Sequence, residues 1–184
     1  MYDRLIAVTN RALCQRDYLE QIGRICAAQP RAVLLREKDL SPAEYLSLAR
    51  QVQEVCQRAE APLILHGHPE AALELGSSRL HLPLPQLREL QNPGDWEQLG
   101  TSCHSMEQVE EALSLGVTYL FLGNIYETGC KPGLPGKGLA LLREVCARSP
   151  VPVYAIGGVS PDRLPELLAC GAAGACMMSG FMEL

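Results

Sequence analysis

Short apolar runs alternate with amphipathic stretches from one end of the chain to the other. Runs rich in Val, Ile, Leu and Tyr predict strands at 5–9, 32–36, 63–66, 79–82, 100–103, 119–123, 153–157 and 174–178. The segments between them carry helix-start signals. Ser41-Pro42-Ala43-Glu44 places a cap, a proline at the first helical position and a glutamate at the third. Ser105-Met106-Glu107-Gln108 has a similar form, Ser160-Pro161-Asp162 opens a further helix, and Pro69 begins a short one. Eight strand–helix alternations in one chain favour an α/β fold of the closed (β/α)8 TIM barrel type, in a single domain over 1–184. The rival is a doubly wound open sheet of the flavodoxin kind, which normally uses about five or six strands. The spacing of the strands leaves room for brief helices only.

The pattern runs short at its end. The last predicted strand finishes near Ser179 and the sequence given stops at Leu184, so the last helix is short or missing. Two ways of covering the last strand stay open. A second copy of the chain packs there, as exposed apolar patches often require, or Phe181, Met182 and Leu184 fold back as a plug.

Bulk properties narrow the function. The chain has 184 residues, 47% of them hydrophobic and 20% charged, which is the composition of a globular domain. Net charge is −5 without a Lys/Arg tract, so a nucleic-acid surface is not expected. No apolar run approaches the roughly 20 residues that cross a bilayer. The N-terminus enters a strand at once, leaving no room for a signal peptide, and the expected location is cytoplasmic. Eight cysteines show neither a CxxC pair nor metal-ligand spacing and read as reduced thiols. Cys103 and Cys130 stand apart because they lie near strand exits.

Candidate chemistry gathers at strand exits, where barrels of this type carry their sites. Arg36 and Lys38 are two apart at a strand end and leave on one face, suited to a phosphate or carboxylate; the alternative is a solvated pair with Glu37 turned outward. Gly157, Gly158, Ser179 and Gly180 would form a phosphate cradle, since glycines let N–H groups approach oxygens and a following helix start adds a favourable dipole. The alternative is two tight turns. Thr128 and Lys131 are loop candidates for the same ligand, while Lys137 could equally be a solvated helix start. His66, His68 and His104 occupy or follow strand exits, and His81 lies inside a strand. His66 and His68 share a side, yet no third ligand accompanies them, so no metal is expected. Cys130 reads as a small loop residue rather than a nucleophile.

Four blocks carry a family resemblance: Leu35-Arg36-Glu37-Lys38; Gly100-Thr101-Ser102-Cys103-His104-Ser105; Gly123-Asn124-Ile125-Tyr126-Glu127-Thr128-Gly129-Cys130-Lys131 with Gly136-Lys137-Gly138; and Ala155-Ile156-Gly157-Gly158 through Ser179-Gly180. In order and spacing the chain resembles the thiamin phosphate synthase/TenI superfamily, and the TenI-type thiazole tautomerases more closely than the synthases. The resemblance implies a barrel that binds a thiazole phosphate for thiamin biosynthesis, with Ser102 and His104 among its ligand contacts. The synthases add an aminopyrimidine diphosphate held through magnesium by an Asn-Asp after the third strand and a further Asp after the fourth. Here those places read His66-Gly67 and, after His81, Leu82-Pro83-Leu84-Pro85-Gln86. Magnesium prefers carboxylate and water oxygens, so no cofactor is expected and synthase activity is disfavoured. TenI-type enzymes move a proton with a His placed directly after the glycine of the sixth-strand exit, and here that place is Asn124. An amide does not titrate near neutrality. Asn124 by position and His66 by type are the catalytic candidates, with His104 and Tyr126 behind them. An isomerase of the TenI kind is the leading expectation. A divergent synthase and a non-catalytic phosphate-ligand sensor remain alternatives.

Overall fold

The computed structural model describes residues 2–129 and 133–184. Its strands are β1 Leu5–Val8, β2 Ala32–Leu35, β3 Leu63–His66, β4 Arg79–Leu82, β5 Gln98–Cys103, β6 Tyr119–Gly123, β7 Val153–Ile156 and β8 Gly174–Met177. They run in sequence order as a closed barrel, and the registered neighbours are parallel. The helices are α1 Tyr18–Ala27, α2 Pro42–Arg58, α3 Pro69–Glu74, α4 Leu84–Glu89, α5 Met106–Ser114, α6 Gly138–Arg148, α7 Leu164–Ala169 and α8 Ser179–Met182. Internal contacts gather in two units, Met1–His81 with Met178–Leu184, and Leu82–Met177.

In the first unit β1 and β2 are buried along their whole length, so they read as unbroken apolar runs rather than alternating ones. Helix α2 starts at the predicted capping box: the Glu44 N–H donates to Ser41 Oγ, and the Ser41 N–H donates back to the Glu44 carboxylate at 2.9 Å. Its buried face is Tyr45, Ala49, Val52 and Cys56, the spacing of one helical stripe. Against it α1 buries Ile22, Ile25 and Cys26, and the Cys26 and Cys56 sulfurs lie 3.8 Å apart as free thiols.

The last helix is a four-residue turn. Phe181 and Met182 are almost fully buried within the chain. The Phe181 ring meets Tyr2 at 5.2 Å, and the Gln21 side chain donates to the Phe181 carbonyl at 2.7 Å. Arg16 donates to the Leu184 carbonyl. Phe181 and Met182 thus fold back on residues of the first unit.

In the second unit β5 begins two residues earlier than the pattern suggested, at Gln98. Gly100 sits where Tyr119 covers it, since a Cβ there would lie 2.1 Å from the ring. Ser105 caps α5 through the Gln108 N–H as expected. Ser160-Pro161-Asp162 opens a 3-10 turn, Pro161–Arg163, before α7 begins at Leu164. Among the described residues no helix is long and apolar enough to cross a membrane.

Candidate active site

In the first unit the strand exits are tied together by one carboxylate. Glu37 is buried and accepts from the Thr9 hydroxyl at 2.7 Å, the Tyr18 hydroxyl at 2.8 Å and the Arg11 N–H at 3.0 Å. The Thr9 hydroxyl accepts in turn from the Arg36 N–H at 3.0 Å. The alternative reading that turned Glu37 outward to solvent is therefore corrected: its three donors hold it inside. Arg36 and Glu37 follow the end of β2 at Leu35, and Lys38 lies in the turn after them. Arg36 is half-buried, and among the described residues its guanidinium donates no hydrogen bond; Lys38 is exposed.

The next exit is organised by a residue the sequence reading passed over. The Tyr45 hydroxyl donates to the Leu35 carbonyl at 2.8 Å and accepts from the His66 N–H at 2.9 Å, clamping the ends of β2 and β3. Its ring stacks on His68 with centroids 4.0 Å apart. A polar-tipped aromatic on the apolar stripe of α2 was the available signal. The His66 ring stacks on the buried His81 ring at 5.7 Å. Burial, and then the charges of Arg36 and Lys38, lower the His66 imidazole from 6.5 to about 3. Burial lowers His81 well below its usual value too, with His66 and Arg36 adding to it. Both rings are neutral at pH 7, so His66 without a ligand has no proton to give and is a weak base.

In the second unit the exits of β5, β6 and β7 are bonded to one another. His104 Nδ1 is paired with the Gly123 carbonyl, while the His104 N–H donates to the Gln108 side chain at 2.8 Å. The carbonyl can only accept, so Nδ1 carries the proton and Nε2 is left as the basic nitrogen. Ser102 is half-buried on β5. Cys103 is buried with its thiol donating to the Gln108 carbonyl, and burial pushes it up to about 12, which makes it an inert thiol.

Asn124 is buried, and its amide donates to the Tyr126 carbonyl at 3.2 Å and the Pro135 carbonyl at 3.5 Å. The structure gives this side chain a pinning role in the loop that follows β6. Beyond β6 the pairing with β7 continues: Ile125 donates to Ile156 at 2.9 Å and Tyr126 to the Gly157 carbonyl at 3.1 Å. Gly157 and Gly158 take positive φ of 96° and 65° beneath this loop. A Cβ on Gly157 would lie 2.4 Å from the Asn124 Cβ, and one on Gly158 would lie 2.5 Å from the Glu127 carbonyl. Only glycine fits at either place. The Gly158 carbonyl accepts from Arg163 Nη1 at 2.7 Å. Both carbonyls are thus held, and among the described residues no hydrogen bond is recorded from either glycine's N–H.

The other predicted contacts separate by unit. Thr128 belongs with the second unit and is half-buried. Ser179 and Gly180 belong to the first unit, in the turn α8. Cys130 and Lys131 lie outside the described residues. The helix dipole expected behind the cradle is reduced, because α7 has six residues and follows a 3-10 turn. The positions where the synthases carry magnesium carboxylates hold His66, Gly67 and an exposed Gln86. That donor set does not suit a hard cation. Among the described residues no group of three or more His, Cys, Asp or Glu is placed to hold a metal ion.

Eight parallel strands closed in sequence order, alternating with helices, define a (β/α)8 barrel. The family described as thiamine monophosphate synthase matches residues 5–181, and the chain belongs to it. The thiamine-phosphate synthase of Moorella thermoacetica is 32% identical over 185 residues, covering 97% of this chain and 87% of that one. Thiamine-phosphate synthase 2 of Streptococcus pneumoniae serotype 4 is 30% identical over 186 residues, covering 98% and 88%. A solved thiamine phosphate pyrophosphorylase from Pyrococcus furiosus superposes with a TM-score of 0.84 at 22% identity, covering 100% of this chain and 89% of its own, which supports the fold.

Proposed function

We propose that this chain binds a thiazole phosphate in thiamine biosynthesis and joins its ring nitrogen to the methylene carbon of an aminopyrimidine diphosphate, breaking that carbon's bond to oxygen and releasing diphosphate, as the names of its relatives suggest. The relatives reverse the order of the sequence expectation, which put tautomerisation first. The observation that carries the phosphate site is the turn at Gly157–Gly158. Its carbonyls are held by Tyr126 and Arg163, and among the described residues its N–H groups donate no backbone hydrogen bond. Two unpaired N–H donors in a glycine turn suit phosphate oxygens. Thr128, in the same unit as the turn, is proposed as a further contact to the same ligand.

The diphosphate is assigned to Arg36 and Lys38. Arg36 lacks a recorded protein partner for its guanidinium and suits a bidentate oxyanion. An anion bound at Arg36 and Lys38 would offset the smaller, electrostatic part of what lowers His66, while burial keeps its imidazole low. No step is assigned to magnesium, given the donor set at 66, 67 and 86.

The same donor set favours a second reading, isomerisation of a carboxythiazole phosphate. It requires a proton-moving group that Asn124 cannot supply; His104, with Nε2 basic, is better suited. The two reactions separate in one experiment. Purified protein is given thiazole phosphate with the aminopyrimidine diphosphate, with and without magnesium, and the carboxythiazole phosphate alone. Thiamine phosphate appearing by mass spectrometry supports the condensation. Conversion of the lone thiazole without it moves the assignment to the isomerase. Neither product leaves a binding protein.

A further inference from the structure

The side chain of Arg163 makes two contacts that the phosphate reading does not by itself require. Its guanidinium donates from Nη1 to the Gly158 carbonyl at 2.7 Å and lies 4.3 Å above the centre of the Tyr126 ring. The Tyr126 hydroxyl donates to the carboxylate of Glu166, one turn further along the same segment. Arg163 ends the 3-10 turn Pro161–Arg163, and Glu166 lies in α7. Three pieces of chain meet at one guanidinium: the loop after β6, the Gly157–Gly158 turn, and the start of α7.

From these contacts we infer that Arg163 is a positioning residue for the phosphate site, fixing the Gly157–Gly158 turn so that its N–H groups stay presented to an anion. This rests on the phosphate reading above and adds to it the group that sets the site's shape. Two consecutive glycines have more backbone freedom than any other pair. A turn of that kind binds an anion well only if it is already ordered, because ordering it at the moment of binding costs affinity. One peptide carbonyl of the turn is held by the Tyr126 N–H at 3.1 Å. The other is held by Arg163 alone among the described residues. The guanidinium is oriented in turn by the tyrosine face, where a flat cation stacks and an ammonium does so less well. A bond from a charged donor to the Gly158 carbonyl also polarises the peptide that follows it, adding to the pull on an anion.

The test uses calorimetric titration of the full chain with the thiazole phosphate and, separately, with the matching thiazole alcohol. Wild type, Arg163→Ala, Arg163→Lys and Tyr126→Leu are compared, with thermal unfolding of each. The expected result is a loss of about tenfold in phosphate affinity for Arg163→Ala, equivalent to ~1.4 kcal/mol, with the alcohol unaffected. Arg163→Lys recovers part of the loss, and Tyr126→Leu, which removes the ring under the guanidinium, loses a smaller part. Equal phosphate affinity in wild type and Arg163→Ala overturns the inference. So does a parallel loss for phosphate and alcohol, which is the mark of a general structural role. If wild type itself does not prefer the phosphate over the alcohol, the phosphate reading fails first and the inference falls with it. Should Arg163→Ala not fold, Tyr126→Leu decides by the same comparison.

Discussion

The hydroxyl of Thr9 donates to the carboxylate of Glu37 across 2.7 Å and accepts from the Arg36 N–H at 3.0 Å. One small side chain thereby joins the exits of β1 and β2 and sets the base of the Arg36 and Lys38 pair.

Removing that acid leaves the Thr9 and Tyr18 hydroxyls and the Arg11 N–H without their acceptor. Glu37→Ala is expected to cost about 3 kcal/mol, as other buried hydrogen-bonded charges do when truncated. Thr9→Val is expected to cost less, about 1–2 kcal/mol, because the carboxylate keeps its other donors. Urea unfolding of the two variants and the double variant measures both values and their coupling.

The histidine pair makes stability depend on pH. An imidazole lowered from 6.5 in the unfolded chain to about 3 in the fold binds its proton only after unfolding. Its contribution is fully present above pH 6.5 and is lost as the pH falls from 6.5 toward 3. The slope in that window is about 1.4 kcal/mol per pH unit for each such imidazole. Unfolding free energies at pH 7.5, 6 and 5 are expected to fall steeply in wild type, and to fall less in His66→Gln.

Gly157 leaves no room for a methyl group. A Cβ there would lie 2.4 Å from that of Asn124, on a backbone at φ of 96°. Gly157→Ala is expected to cost roughly 1–3 kcal/mol of stability from strain and overpacking. It should weaken a thiazole phosphate more than the corresponding alcohol. Thermal unfolding and the paired titrations check the two effects separately.

Much of the frame was legible in the sequence, and the reasons are physical. Strands buried on both faces, such as β2 and β6, stand out as unbroken apolar runs, and their ends fell within a residue of the pattern. The Ser41 cap was readable because its two reciprocal bonds need a fixed spacing. The start of β5 was not, because Gln98 and Leu99 carry no turn signal to separate them from the residues before. Side-chain duties were legible only where type and duty coincide. Arg36 and Lys38 announce themselves as cations, although the strand the pattern extended to Arg36 ends at Leu35. Glu37 reads like any surface acid until Thr9, Arg11 and Tyr18 arrive from other segments. Asn124 drew notice for what it replaces, while its observed bonds to Tyr126 and Pro135 follow from the path of the loop. Tyr45 and Arg163 escaped for the same reason: each acts on backbone carbonyls, which carry no mark in a sequence.

In the proposed site the Gly157–Gly158 turn holds the phosphate of a thiazole ligand. Phosphorus NMR of the thiazole phosphate, titrated with wild type and with Gly158→Val, tests it most directly. A valine Cβ would lie 2.5 Å from the Glu127 carbonyl, so the turn cannot keep its path. A saturable shift of the phosphate resonance is expected with wild type, and none at the same concentrations with a folded Gly158→Val. An unshifted resonance with wild type, or the same shift with both proteins, would contradict it.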